Sequence, residues 1–217
     1  MEGIPSLDRR SLFRTMAGVG ALAAAGQLVA PATALAAPAA PRIYSCAEWG
    51  ARAVSGITTL NHRPNRILVH HMANPNSTDY SQAHAFQVAR NCQSGHMGQG
   101  WADTGQHFTI SRGGYIMEGR KGSLSTLRGR TQMIKAAHCP GFNENSIGIE
   151  NEGTYTSAVP TSAQWNALVN LCAYVCHQYG ISPNNISGHR DHFATACPGN
   201  QFYAKLAQLR KDVAAKL

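Results

Sequence analysis

Strand-like and helix-like segments alternate along residues 43–217, which predicts one α/β domain: a central mixed β-sheet flanked by helices, with a surface cleft. Three observations carry this expectation. Arg66 to Met72 (Arg-Ile-Leu-Val-His-His-Met) is a short apolar run with the length and branching of a buried strand. Ser146 to Glu152 (Ser-Ile-Gly-Ile-Glu-Asn-Glu) alternates as a half-buried strand does. Thr161 to Gly180 opens on a capping-box signature, Thr161-x-x-Gln164, and ends on a glycine.

The remaining elements follow in order. Ser77 to Cys92 has helix-compatible composition, with Ala83, Phe86, Val88 and Ala89 as its apolar positions. Gly95 to Gly105 is glycine-rich and reads as a loop carrying Trp101. Gln106–Ser111 and Tyr115–Glu118 flank Arg112-Gly113-Gly114, a hairpin signal. Leu124 to Asn145 reads as irregular. In the segment after Thr161, Trp165, Leu168, Val169, Cys172, Val175, Cys176 and Tyr179 recur at three and four, giving one apolar helical stripe. A short strand near Ile186 leads into Gly188-His189-Arg190-Asp191, and Phe202 to Leu217 reads as a closing basic amphipathic helix.

Ahead of this domain, residues 1–36 read as a twin-arginine export signal. Arg9 and Arg10 form the pair, an Ala/Gly/Leu/Val run follows, and Ala34-Leu35-Ala36 is a small-x-small cleavage pattern. The alternative is an uncleaved anchor, but the run is Ala/Gly-rich and broken by Pro31, a poor spanning helix. Residues 37–42 form a Pro/Ala linker. The expected product is exported, extracellular or cell-wall associated, monomeric, with no stable membrane insertion.

The chain carries 19 Lys+Arg against 11 Asp+Glu. A basic surface favours polyanions. The positive residues are scattered and no nucleic-acid motif is present, so nucleic acid is not the expected partner. Six cysteines in an exported chain allow disulfides. Cys46 with Cys172 or Cys176, and Cys92 with Cys139, are the expected pairings.

Two segments carry the chemistry. His70 stands at the end of the Arg66–Met72 strand, where a ring nitrogen can reach a cleft, and His71 faces the opposite side of the pleat. His189 and Cys197 stand eight residues apart in a loop bounded by Gly188 and by Pro198-Gly199. Two imidazoles and one thiolate form a catalytic zinc set, three protein ligands with one position left open. The competing reading places Cys197 in a disulfide.

Linked motifs along the domain resemble the type 2 N-acetylmuramoyl-L-alanine amidases, a family shared with peptidoglycan recognition proteins and phage amidases. They are Glu48-Trp-Gly-Ala51, Leu68-Val-His-His71, Trp101-Ala-Asp-Thr-Gly105 with His107-Phe108, Glu118-Gly-Arg120, Ser146-Ile-Gly-Ile-Glu150, Gly188-His-Arg-Asp191 and Thr195-Ala-Cys-Pro-Gly199. The resemblance implies Zn2+ on His70, His189 and Cys197, selecting His70 over His71. It implies hydrolysis of the amide between N-acetylmuramic acid and L-alanine, with peptidoglycan or a muropeptide as substrate. Glu150 matches a catalytic carboxylate, against the alternative of a solvated surface group. Thr195 matches an oxyanion-steadying position, against an ordinary loop threonine. His138 and Trp101 match residues lining the cleft. Gln106 stands where many members carry tyrosine; it can donate a hydrogen bond but cannot exchange a proton. That substitution favours the rival reading, a non-catalytic peptidoglycan-binding recognition module. A zinc peptidase would need a different motif, such as His-Glu-x-x-His, and none is present.

Overall fold

The computed structural model describes residues 37–217; the expected export signal, residues 1–36, lies outside them. Residues 37–42 have no regular structure, and β1 begins at Ile43. The strands are β1 (Ile43–Tyr44), β2 (Thr59–Leu60), β3 (Arg66–His71), β4 (Phe108–Ile110), β5 (Ile116–Glu118), β6 (Met133–Ile134), β7 (Ser146–Asn151) and β8 (Ile186–Gly188). The helices are α1 (Gln82–Gly98), α2 (Ser123–Gly129), α3 (Ser162–Tyr179), α4 (Asn200–Ala204) and α5 (Leu206–Ala214). Six strands form one mixed sheet in the order β1-β5-β4-β7-β3-β8, while β2 and β6 pair separately. Only β4 and β5 run antiparallel within the large sheet, as the Arg112-Gly113-Gly114 turn requires.

Side-chain alternation divides the two sheet faces. Ile67 and Val69 of β3, Ile147 and Ile149 of β7, Phe108 and Ile110 of β4, and Ile186 of β8 join one buried cluster with α3 and α5. The opposite face holds Leu68, His70, Gly148 and Glu150. There α1 covers only the β1–β5 end, where Ala85 and Ala89 meet Met117, Cys46 and Trp49. Further along, His138 packs over Gly148 and Leu68 is buried, so the face opens to a pocket at His70 and Glu150, towards the carboxyl end of the strands.

Local chemistry explains the helix ends. Thr161 caps α3 by accepting from the Gln164 N–H at 3.1 Å. The expected reciprocal half of the box is missing. Gln164 donates instead to the Ile110 and Glu152 carbonyls, stitching α3 to the ends of β4 and β7. Gly180 at φ +73° ends the helix. The α3 stripe is buried as expected except for Trp165, which is partly exposed at its start, and Ala167, Leu171 and Ala173 are buried beside it.

Four expectations change. The first helix starts at Gln82, with Ser81 as its cap, and runs on to Gly98. Residues 124–145 contain most of α2 and all of β6. The closing helix is broken into α4 and α5 at Lys205. The expected disulfides are not formed: all six cysteines are free thiols. Cys46 lies in the small cluster against α1, while Cys172 and Cys176 lie in the main core, across the sheet. Cys92 instead engages the Gln106 amide and the His96 ring.

Two measurements check this picture. Denatured without reductant, the protein should take up six equivalents of an alkylating reagent; a deficit of two would mean that one bridge forms. Thr161→Ala removes the α3 cap and a hydrogen bond to the Arg112 carbonyl. It should lower stability by about 1–2 kcal/mol in urea unfolding, and an unchanged midpoint would deny the cap its role.

Candidate functional site

Strand register builds the site. In the parallel ladder of β3 with β7, His70 pairs with Glu150. In the ladder of β4 with β7, Glu150 pairs with Thr109. Gly188 of β8 pairs with Val69, so the next residue, His189, comes level with His70; their ring centroids are 4.5 Å apart. One row across the carboxyl end of the parallel strands therefore carries Thr109, Glu150, His70 and His189. The carboxyl edge is where ligands bind in such sheets.

Cys197 completes the cluster from the loop after His189. One ligand atom each from His70, His189 and Cys197 lies within 4.8 Å of the others. Cys197 Sγ is 3.7 Å from His70 Nδ1 and accepts from the His71 backbone N–H at 3.4 Å. Gly199 makes this loop possible. Its φ is +92°, and a Cβ there would lie 2.4 Å from the Tyr155 carbonyl carbon. His71 points away, as the pleat requires, and its Nδ1 accepts from the Tyr155 N–H.

A metal fits these residues. His189 Nε2 is buried with no hydrogen-bond partner, a cost that coordination or a proton acceptor would remove. Two imidazoles and a thiol at this separation are a borderline-soft donor set suited to zinc. Burial, and then the neighbouring His189, hold His70 well below the usual histidine pKa. Burial lowers His189 as well. Both imidazoles are therefore neutral, the form that binds metals. Burial pushes the Cys197 thiol up to about 12, so thiolate character there requires a cation.

The other expected residues fall around this cluster. A pocket of ≈ 400 Å³ opens over it, lined in part by Trp101, Gln106, His138, Glu150 and Thr195. Glu150 is only partly covered, yet its Oε2 is buried without a partner. Burial raises its carboxyl to about 7. It is not the solvated surface carboxylate of the alternative reading. Thr195 Oγ1 accepts from the Cys197 N–H at 3.2 Å, bracing the ligand loop. Trp101 is 37% exposed and its ring packs on His96, centroid to centroid 4.7 Å.

Two residues differ from expectation in their hydrogen bonding. Gln106 is fully buried and its amide N–H2 donates to Thr109 Oγ1 at 2.8 Å and to Cys92 Sγ at 3.2 Å. It is not a free donor; only its unpartnered Oε1 remains available. His138 borders the pocket but is buried, with His70 and Ser146 on its two ring nitrogens. The sequence reading also missed His96, whose Nδ1 accepts from the Gly105 N–H and whose ring backs Trp101. The sequence places it in the Gly95–Gly105 loop, where nothing marks it, whereas it stands in the last turn of α1.

A family model described as N-acetylmuramoyl-L-alanine amidase matches residues 60–200. Peptidoglycan-recognition protein SC2 of Drosophila melanogaster is 31% identical over 166 residues, 76% of this chain and 84% of that protein. The human protein named N-acetylmuramoyl-L-alanine amidase is 30% identical over 169 residues, 75% of this chain and 27% of that protein. Among solved structures, wild-type Drosophila PGRP-LB aligns at 28% identity and TM-score 0.67, covering 76% of this chain and 92% of that one. The amidase LysC from Clostridium intestinale aligns at 25% identity and TM-score 0.64, covering 81% of this chain and 99% of that one. Another PGRP-LB structure holds tracheal cytotoxin. The match takes in β3, β7, β8 and the loop that returns Cys197 to them, and on that extent this chain belongs to the N-acetylmuramoyl-L-alanine amidase family.

Proposed function

We propose that this chain is an exported zinc amidase that hydrolyses the amide between N-acetylmuramic acid and L-alanine in peptidoglycan. One observation carries the reading: the His70–His189–Cys197 cluster stands in the same strand row as Glu150, whose buried oxygen has no partner. A purely structural zinc site is closed by four protein ligands and has no use for an adjacent raised carboxyl. Residues 1–36 support export to the wall, and the excess of positive charge suits an anionic surface.

His70, His189 and Cys197 would hold the ion. When bound, zinc supplies a Lewis acid for the amide carbonyl and makes water acidic enough to deprotonate near neutrality. Glu150 takes a proton from the attacking water and returns it to the L-alanine nitrogen as the C–N bond breaks. The products are the free lactyl acid and a stem peptide with a new amino terminus. Thr195 Oγ1 accepts from the Cys197 N–H and keeps its own hydrogen for the developing oxyanion. Trp101 offers a flat wall to the substrate. Gln106, its amide hydrogens committed to Thr109 Oγ1 and Cys92 Sγ, has only Oε1 to offer a substrate N–H.

The test is digestion of purified peptidoglycan, with the products scored by mass spectrometry. Stem peptides beginning at L-alanine should appear, vanish with a chelator and return with zinc. Binding without cleavage would instead make this a recognition module, the reading that the committed amide of Gln106 favours.

Glu150→Gln should keep its zinc and lose turnover by about 10²–10⁴-fold, the usual worth of a general base. Near-normal turnover would remove Glu150 from the mechanism. The pH profile gives a separate check. The base works as the carboxylate, and burial raises its pKa to about 7, while a nearby cation draws it down. Wild-type kcat/KM should therefore rise with pH along a limb at or below about 7, and Glu150→Gln should lack that limb.

A further inference from the structure

His70 touches more than its neighbours in the cluster. Its Nε2 lies 3.0 Å from His138 Nδ1. On the far side of that ring, His138 Nε2 lies 3.3 Å from Ser146 Oγ. Ser146 Oγ in turn donates to the Phe142 carbonyl at 2.6 Å.

The direction of each bond follows from counting hydrogens. A serine hydroxyl has one, and here the carbonyl of Phe142 takes it. Towards His138 the Ser146 oxygen can therefore only accept, so His138 carries its hydrogen on Nε2. A neutral imidazole has one donor and one acceptor, which makes His138 Nδ1 an acceptor. It takes the hydrogen of His70 Nε2. That leaves His70 Nδ1 as a bare lone pair, and Nδ1 is the nitrogen that faces Cys197 Sγ.

The backbone protects this arrangement. Gly148 lies directly beneath the His138 ring, where a Cβ would come within 2.4 Å of His138 Cδ2. A side chain at 148 would push the ring out of line. The glycine between Ile147 and Ile149 thus makes room for the second histidine.

We infer that His138 and Ser146 are positioning residues that lock His70 in the Nε2–H tautomer and hold its Nδ1 lone pair ready for a metal. The inference rests on the zinc reading above and assigns His138 a part other than contact with substrate. Partners of this kind orient ligating histidines, and losing them typically costs 10–100-fold in metal affinity.

The experiment uses the mature protein and three variants. The tautomer of His70 is read in the metal-free protein from long-range ¹H–¹⁵N NMR correlations. Zinc affinity is read by competition with a chromophoric chelator. Wild type should show hydrogen on His70 Nε2. Ser146→Ala and His138→Phe should shift His70 towards the other tautomer and weaken zinc binding about 10–100-fold. His138→Asn, whose Oδ1 can stand in for Nδ1 as acceptor, should recover most of the affinity. Hydrogen on His70 Nδ1 in the wild type would overturn the proposal, as would unchanged affinity in Ser146→Ala and His138→Phe. If His138→Phe does not fold, the wild-type tautomer and Ser146→Ala still decide. Failure of the wild type to bind zinc at all would instead sink the zinc reading, and the tautomer would be measured regardless.

Discussion

The parallel pairing of β3 with β7 is the constraint on which the rest depends. Ile67 meets Ile147 and Val69 meets Ile149, and all four are buried against α3 and α5. Because side chains alternate, burying that set forces Leu68, His70, Gly148 and Glu150 onto the other face. A slip of one residue would send His70 into the apolar core and an isoleucine into the cleft. The hydrophobic effect on one side of the sheet thus fixes the reactive groups on the other. β8 extends the same row by pairing with β3, which is how His189 arrives beside His70 without any long-range device of its own.

Electrostatics then follows from burial. His70, His138 and His107 lie close together and away from water, and desolvation lowers all three, His107 to about 4. Each would repel a charge on its neighbours, so the cluster stays neutral near pH 7. The Cys197 thiol and the Glu150 carboxyl are both pushed the opposite way, toward their protonated forms. The metal-free site therefore combines neutral imidazoles and a protonated thiol with a carboxyl that titrates near neutrality. A dication reverses the balance for the thiol and the carboxyl together, which couples ligation to the state that the proposed base must adopt.

His70, His189, Cys197 and Glu150 were legible as a group because their placement depends on strand period and on a glycine- and proline-bounded loop, both written locally. The short α2 and β6 were not. Helix α2 begins on Gly122 with no side-chain cap, and the two residues of β6 gain their identity only by pairing with β2, more than seventy positions earlier. The start of α1 was misplaced because Ser77, Asp79 and Ser81 are all cap-like, and only Ser81 accepts from a helical N–H. The pairing of Cys46 with an α3 thiol failed for a topological reason, since the sheet stands between them, while Cys92 is engaged by Gln106 and His96. The states of Gln106 and His138 were hidden most deeply. Both residues sit where expected, but what they donate depends on Thr109, Cys92, Ser146 and Phe142, and no periodicity reveals which hydrogen is already spent.

That last point bears on how one fold serves both recognition and cleavage. The relatives of this chain include proteins named for each. The outer pocket, with Trp101 over His96, needs only shape to hold a ligand. Cleavage needs more: a neutral donor set, a carboxyl poised near neutrality and a lone pair aimed inward. The groups themselves line the pocket, but the tautomer and orientation of His70 are set behind the wall, by Ser146 and Gly148 acting through His138. Gly148 is buried and does not line the pocket, yet its missing side chain leaves room for His138, and His138 holds His70. The two functions are thus separated in depth, and a chain that kept its surface while losing the layer beneath would bind without cutting.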